Sequence, residues 1–204
     1  MSKAVLMSIR PEWVEKILNG EKTIEIRKTM PKCELPCKVY IYCTKNRHLA
    51  CVVDKNGAEL FYTCNNETAF IAGGYLGNGQ VIGEFILRTV TKFDYLGVFY
   101  DYKKEELLKK SCLTDKQLAA YVNPVGYAWH IDDLKIYDRP KELSEFNKFV
   151  YAEDYPCNKG KGCKYEYYDY GENCSACRID FDGEHCVYKK LTKAPQSWCY
   201  VEEL

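Results

Sequence analysis

Apolar residues recur at helical spacing early in the chain: Trp13, Val14, Ile17 and Leu18 make one stripe. Pro11 suits a first helical position, where its missing N–H is no loss. Gly20 then supplies a left-handed stop. From Thr23 to Lys28 the period changes to two. Ile24 and Ile26 point one way, and Thr23, Glu25 and Arg27 point the other. The stretch from Ser8 to Lys28 therefore predicts helix, tight stop and strand, with Lys22 at the turn where the strand begins. A carboxylate and a guanidinium sit two residues apart on the polar face of that strand.

Further along, Val39, Ile41 and Cys43 alternate with Tyr40 and Tyr42, which predicts a strand over Lys38–Thr44. Asn46 to about Gly74 is poorly patterned and reads as an insertion. Asn56-Gly57 marks a hairpin turn within it, and Leu60–Tyr62 a short strand. Gly77-Asn78-Gly79 turns into Val81–Thr91, a strand partly apolar on both faces and so central. Glu84 within it reads as a paired structural carboxylate. Lys103–Lys110 predicts a charged helix. Thr114 and Gln117 form a capping box for a second helix that stops at Asn123-Pro124. Tyr127–Tyr137 predicts a strand pair or one bent strand, ended by Arg139-Pro140, with Leu143, Phe146 and Phe149 tethering the next segment. Ala194–Val201 is a final strand with Trp198 and Tyr200 on one face.

The 204 residues fit one domain, or one with a small appendage, and 47% hydrophobic content argues against disorder. Net charge is 0, with 29 residues of each sign, so any nucleic-acid surface must be a local patch. The 18 tyrosines are expected as half-buried packing groups, some of them available to stack on bases. Met1–Ile9 is too short for a signal peptide, and no apolar run approaches a membrane span. Twelve cysteines in that context point to a reducing, cytoplasmic setting with thiols or metal rather than disulfides. Cys33 and Cys37 form a two-thiol loop whose spacing is loose for zinc.

Residues 153–193 differ in kind. Cys157, Cys163, Cys174, Cys177 and Cys186 stand among Gly-, Lys- and Tyr-rich intervals that offer little core. Cys174-x-x-Cys177 is a metal-knuckle spacing, because two thiolates on one tight turn can face a tetrahedral ion. One structural Zn²⁺ held by four of these five cysteines is expected. Cys174, Cys177 and Cys186 are the firmest ligands, with Cys157 or Cys163 completing the site. His185 is a poorer candidate, an iron–sulfur cluster a weaker alternative, and a loop of free thiols the bland one.

Gly20, Lys22, Glu25 and Arg27 fit a Gly-x-Lys-x-x-Glu-x-Arg pattern after a short amphipathic helix. That pattern resembles the ASCH domain, of the phage and bacterial type with a cysteine-rich insert near the C-terminus. The resemblance continues through Lys38–Thr44, Gly79–Phe85, Tyr127–Phe146 and Pro195–Glu202. It implies an α+β fold: a PUA-like β-barrel with peripheral helices, closed by the terminal strand, and a link to RNA. The cysteine-rich insert is then an excursion before that last strand. Some similar proteins are acetylcytidine amidohydrolases using the motif lysine, a threonine three residues later and a distant glutamate. Lys22 matches the lysine, but Glu25 stands at the threonine position, which argues against that chemistry. Others are ribonucleases, for which no decisive residue set stands out.

No serine elbow, P-loop or nucleophile triad is present. His48, His130 and His185 are isolated, and His130 reads as a core histidine. The remaining constellation is Lys22, Glu25 and Arg27. As a surface ion pair it would contribute under about 1 kcal/mol. As a cleft, Arg27 would hold a phosphate or base edge, Lys22 a backbone phosphate, and Glu25 an exocyclic amine. Lys28, Arg10 and Trp198 complete the candidate ligand-binding set, and Lys22 and Glu25 are the candidates for catalysis. The expected function is binding of RNA or a modified nucleotide. The alternatives are a hydrolase acting on a nucleoside or RNA, and an adaptor that docks a protein through its zinc insert.

Overall fold

The computed structural model describes residues 3–63, 74–95, 103–122, 124–151 and 185–204. In chain order these form β1 (Lys3–Ile9), α1 (Pro11–Leu18), β2 (Ile24–Arg27), β3 (Cys37–Cys43), β4 (Leu49–Asp54) and β5 (Gly57–Tyr62). Next come β6 (Tyr75–Leu76), β7 (Val81–Leu87), β8 (Val90–Asp94), α2 (Lys104–Ser111) and α3 (Asp115–Tyr121). The remainder is β9 (Val125–His130), β10 (Asp132–Lys141), β11 (Asn147–Tyr151), β12 (His185–Lys190) and β13 (Trp198–Glu202).

The middle of the main sheet is β1, which runs parallel to β3 and antiparallel to β13. Its sequence is a continuous apolar run, Ala4-Val5-Leu6-Met7, without the alternation that advertises a half-buried strand. Both faces are used. Val5, Met7 and Ile9 enter one core cluster, and Ala4 and Leu6 enter another on the opposite face with Tyr40, Phe146 and Val201. The strand order is β10-β7-β3-β1-β13-β11-β12.

A smaller sheet, β2-β9-β8, forms a separate layer. Ile24 and Ile26 pack with Phe93, Ala128, Leu107 of α2 and Leu118 of α3 in a third cluster. Its other face meets the main core through Trp129. Full burial of each such aliphatic side chain contributes about 1.5–3 kcal/mol. The capping box at α3 is present, with Thr114 Oγ1 accepting from Gln117 N–H at 3.2 Å and Gln117 Oε1 from Thr114 N–H at 2.9 Å.

Several expectations are corrected. Among the described residues the strands make three open sheets rather than a closed barrel, because the chain twice leaves the main sheet for the small one. The strand expected at Val81–Thr91 breaks at Arg88-Thr89, with β7 in the main sheet and β8 in the small one. Tyr127–Tyr137 is a strand pair that switches sheets the other way, with Asp133 at φ 48° beside the break. Pro140 does not end its strand. It lies inside β10, an edge strand, where a missing N–H costs no ladder bond. The poorly patterned stretch after Asn46 contains the β4–β5 hairpin, turning at Asn56-Gly57, which pairs on its other side with β6. Most of the cysteine-rich stretch lies outside the described residues. Its last part is β12, paired with β11 at the edge of the main sheet, and Leu191 just after it is buried in the core.

Candidate nucleic-acid interface

The site begins where α1 ends. Gly20 takes φ 75°, as expected of a left-handed stop. The chain then turns back, with Lys22 N–H bonded to Lys16 O at 2.9 Å and Thr23 N–H to Lys110 O at 2.9 Å. β2 pairs with β9 in register Ile24↔His130 to Arg27↔Tyr127. With Ile24 and Ile26 committed to the third cluster, alternation sends Glu25 and Arg27 toward β1.

That polar face is buried, contrary to the exposed surface the alternation suggested. Lys22, Glu25 and Arg27 are all nearly inaccessible to solvent. Lys22 Nζ lies 3.2 Å from Glu25 Oε2, and Arg27 NH2 lies 3.2 Å from Glu25 Oε1. Each carboxylate oxygen thus faces one cation. Lys22 also donates to Ser111 O at 2.7 Å and sits 5.4 Å over the Trp13 ring. Arg27 donates from NH2 to Ser8 O at 2.8 Å and from NH1 to Ser197 Oγ at 3.1 Å. The set carries two cations and one carboxylate. Arg27 Nε is buried and has no hydrogen-bond partner.

The segment before β13 is stitched to the end of β1. Ser8 N–H donates to Ser197 O at 2.9 Å, and Ser8 Oγ–H to Pro195 O at 2.7 Å. This brings half-buried Trp198 to the seam beside Arg27. Trp129 and Trp198 donate their indole N–H groups to the carbonyl and hydroxyl of Thr29, at 3.1 and 3.2 Å. Their rings lie 5.8 Å apart, with Tyr200 5.3 Å beyond Trp198, edge to face.

The other sequence candidates are dispersed. Lys28 is exposed and sits over the Tyr121 ring at 5.2 Å, on the α3 side of β2. Arg10 caps α1, its exposed guanidinium 3.8 Å from Glu12. His130 Nε2 lies 3.2 Å from Thr91 Oγ1, and burial pushes its imidazole below the ordinary value. The partners that matter to the buried set, Ser8, Ser111 and Ser197, carry no sequence signal, since they act largely through backbone placement. Trp13 was legible only as part of the apolar stripe.

A second polar cluster borders the Tyr40–Phe146 core on the other face of the main sheet. The Tyr137 hydroxyl donates to Glu84 Oε2 at 2.5 Å, and Lys38 Nζ lies 3.8 Å from Glu84 and 3.1 Å from Glu203. Burial, then the bond to Glu84, pushes the Tyr137 phenol well up. Glu84 is therefore a paired carboxylate, as its strand position suggested.

No group of three or more metal-ligating side chains occurs among the described residues. Cys157, Cys163, Cys174 and Cys177 lie outside them, and Cys186 is on β12. No helix among the described residues is long and apolar enough to cross a membrane.

The ASCH domain family model matches residues 7–153, which takes in the helix–strand motif and most of the main sheet. The chain belongs to the ASCH domain family. ASCH domains are generally associated with RNA binding. Similar solved structures include the ASCH protein of Zymomonas mobilis, at 20% identity over 70% of this chain and 77% of that one, with a TM-score of 0.45. A point mutant of that protein matches at 19% identity over 71% and 81%, with a TM-score of 0.46. No curated protein matches the chain. The described residues form a mixed, sheet-dominated fold with few helices.

Proposed function

We propose that this ASCH domain binds RNA or a modified nucleotide in a cleft beside the Gly20–Lys28 helix–strand motif. The observation that carries the reading is the unpartnered Nε of buried Arg27, a donor inside a set with one excess positive charge. A buried donor left without an acceptor costs about 1–3 kcal/mol, which a base carbonyl or phosphate oxygen would recover only as the Ser197–Trp198 segment gives way to admit it. Trp198, half-buried at the same seam, offers a face for a base. Lys22 spends its donors on Glu25 and Ser111, so it and Glu25 orient Arg27 rather than touch the ligand. Lys28 and Arg10, both exposed, lie away from this seam, on the α3 side of β2 and at the start of α1, and add only peripheral phosphate contacts.

Arg27→Lys keeps the charge and loses the fork. Short single-stranded and duplex RNA, DNA and modified nucleosides should be titrated against wild type and this variant, with thermal melts alongside. Binding should weaken by roughly tenfold or more, about 1.4 kcal/mol. A folded Arg27→Lys protein with wild-type affinity for every ligand would refute the reading.

We further propose that the 153–193 insert holds one Zn²⁺ through four of Cys157, Cys163, Cys174, Cys177 and Cys186, in a reducing cytoplasm. The Cys174-x-x-Cys177 spacing supports it. Metal analysis should find close to one zinc per chain, lost when both Cys174 and Cys177 are replaced by serine.

A further inference from the structure

The loop between β2 and β3 brings two thiols together. Cys33 and Cys37 are free, with Sγ atoms 3.0 Å apart. Their surroundings differ: Cys33 is half-buried, and Cys37 is buried at the start of β3. We propose that they form a reversible thiol–disulfide couple, in which a peroxide oxidises Cys33 and Cys37 resolves it.

The geometry assigns the roles. A disulfide needs the sulfurs at about 2.05 Å, so they must approach by roughly 1 Å, a movement within reach of two χ1 rotations in a loop. Only the sulfur that solvent reaches can meet a peroxide, and that is Cys33. The hydrogen bond shared with Cys37 holds the Cys33 thiol down to about 7, with Lys3 assisting, while the same bond and burial push Cys37 well up. The half-buried Cys33 sulfur thus carries the negative charge in preference to Cys37, which keeps its proton. Among the other described cysteines the contrast between a solvent-reached and a buried thiol is not repeated in a pair. Cys43 and Cys51 are fully buried, and Cys199 is pushed up to about 11 by burial.

The chemistry balances with hydrogen peroxide as oxidant. The Cys33 thiolate attacks one peroxide oxygen. An S–O bond forms, the O–O bond breaks, and hydroxide leaves and takes a proton to become water. Cys33 is then a sulfenic acid. Cys37 Sγ attacks Cys33 Sγ as it gives up its proton. The S–S bond forms, the S–O bond breaks, and the departing hydroxide takes that proton as a second water. A dithiol reductant reverses the couple by exchange.

Position gives the couple a reach beyond its own loop. Lys32 N–H, next to Cys33, donates to the Tyr200 hydroxyl. Tyr200 ends the Trp129–Trp198–Tyr200 row, so the couple stands at the foot of that aromatic row.

Trypsin isolates the pair, because cleavage after Lys32 and Lys38 releases Cys-Glu-Leu-Pro-Cys-Lys with no other cysteine. Full-length protein is treated with limiting hydrogen peroxide, quenched, alkylated with iodoacetamide and digested. The expected peptide is unalkylated and two hydrogen masses lighter than the dithiol, and it becomes doubly alkylated if dithiothreitol precedes alkylation. In Cys37→Ser, Cys33 should accumulate as a sulfenic acid that dimedone traps. In Cys33→Ser, Cys37 should resist the same peroxide. A doubly alkylated wild-type peptide after peroxide would overturn the couple. Dimedone labelling of Cys37 in Cys33→Ser would overturn the assignment of roles.

Discussion

Two lysine–carboxylate clusters in this molecule have nearly the same contact distances and opposite circumstances. Lys22 lies 3.2 Å from Glu25, and Lys38 lies 3.1 Å from Glu203. In the first, the side chains of Lys22, Glu25 and Arg27 are 2%, 11% and 8% exposed. In the second, those of Lys38, Glu84 and Glu203 are 18%, 16% and 33% exposed. Around Lys22 and Arg27, water is replaced by fixed acceptors, the carbonyls of Ser111 and Ser8 and the hydroxyl of Ser197. Lys38 and Glu203 keep part of their hydration. An ion pair's length therefore says little about what depends on it; the solvent it has lost says more. Removing one partner of a buried pair leaves an uncompensated charge and costs about 3–5 kcal/mol. Removing one from a half-hydrated pair costs less, approaching the roughly 0.2–1 kcal/mol of a fully exposed pair.

The sharpest break is a buried charge with no partner at all. Ile26 shares β2 with Glu25 and Arg27 but enters the apolar cluster between the small sheet and α2–α3. Ile26→Asp should cost about 5 kcal/mol or more and unfold the protein, visible as loss of the cooperative melt. Glu25→Ala comes next. It strands two buried cations and should cost about 3–5 kcal/mol in denaturant titration. That departs from the small loss expected of a surface pair, and a loss below about 1 kcal/mol would mean the set is solvated in solution. Lys22→Ala should lose binding mainly through Arg27's altered placement. Its effect should therefore change little with salt, whereas Lys28→Ala should weaken RNA binding less as salt rises. The smallest effect belongs to the second cluster: Lys38→Ala should cost less than Glu25→Ala in the same titration, because Lys38 and Glu203 keep part of their hydration.

Much of the local structure was legible because local physics decides it. Pro11, the Trp13–Leu18 stripe and Gly20 place α1 and its stop within a residue of the observed bounds. Thr114 and Gln117 announce α3, and Asn56-Gly57 the hairpin turn. Alternation in β2 correctly separates Ile24 and Ile26 from Glu25 and Arg27. The family motif pointed to the same strand.

What lay beyond the sequence concerns which surface covers which. The run Ala4–Met7 carries no period, so nothing in it says that β1 is the middle of the main sheet; partners on both sides decide that. Pro140 is tolerated only because β10 has a free edge. Period two shows that Glu25 and Arg27 share a face, but it cannot show that Ser8, Ser111, Ser197 and Trp13 close over it. Those groups come from four separate places in the chain, and only their packing removes the water that would otherwise screen the charges. Side-chain spacing is a property of the backbone near a residue. Burial, and with it the orphaned Nε of Arg27 and the strength of its ion pair, is a property of everything that folds against it.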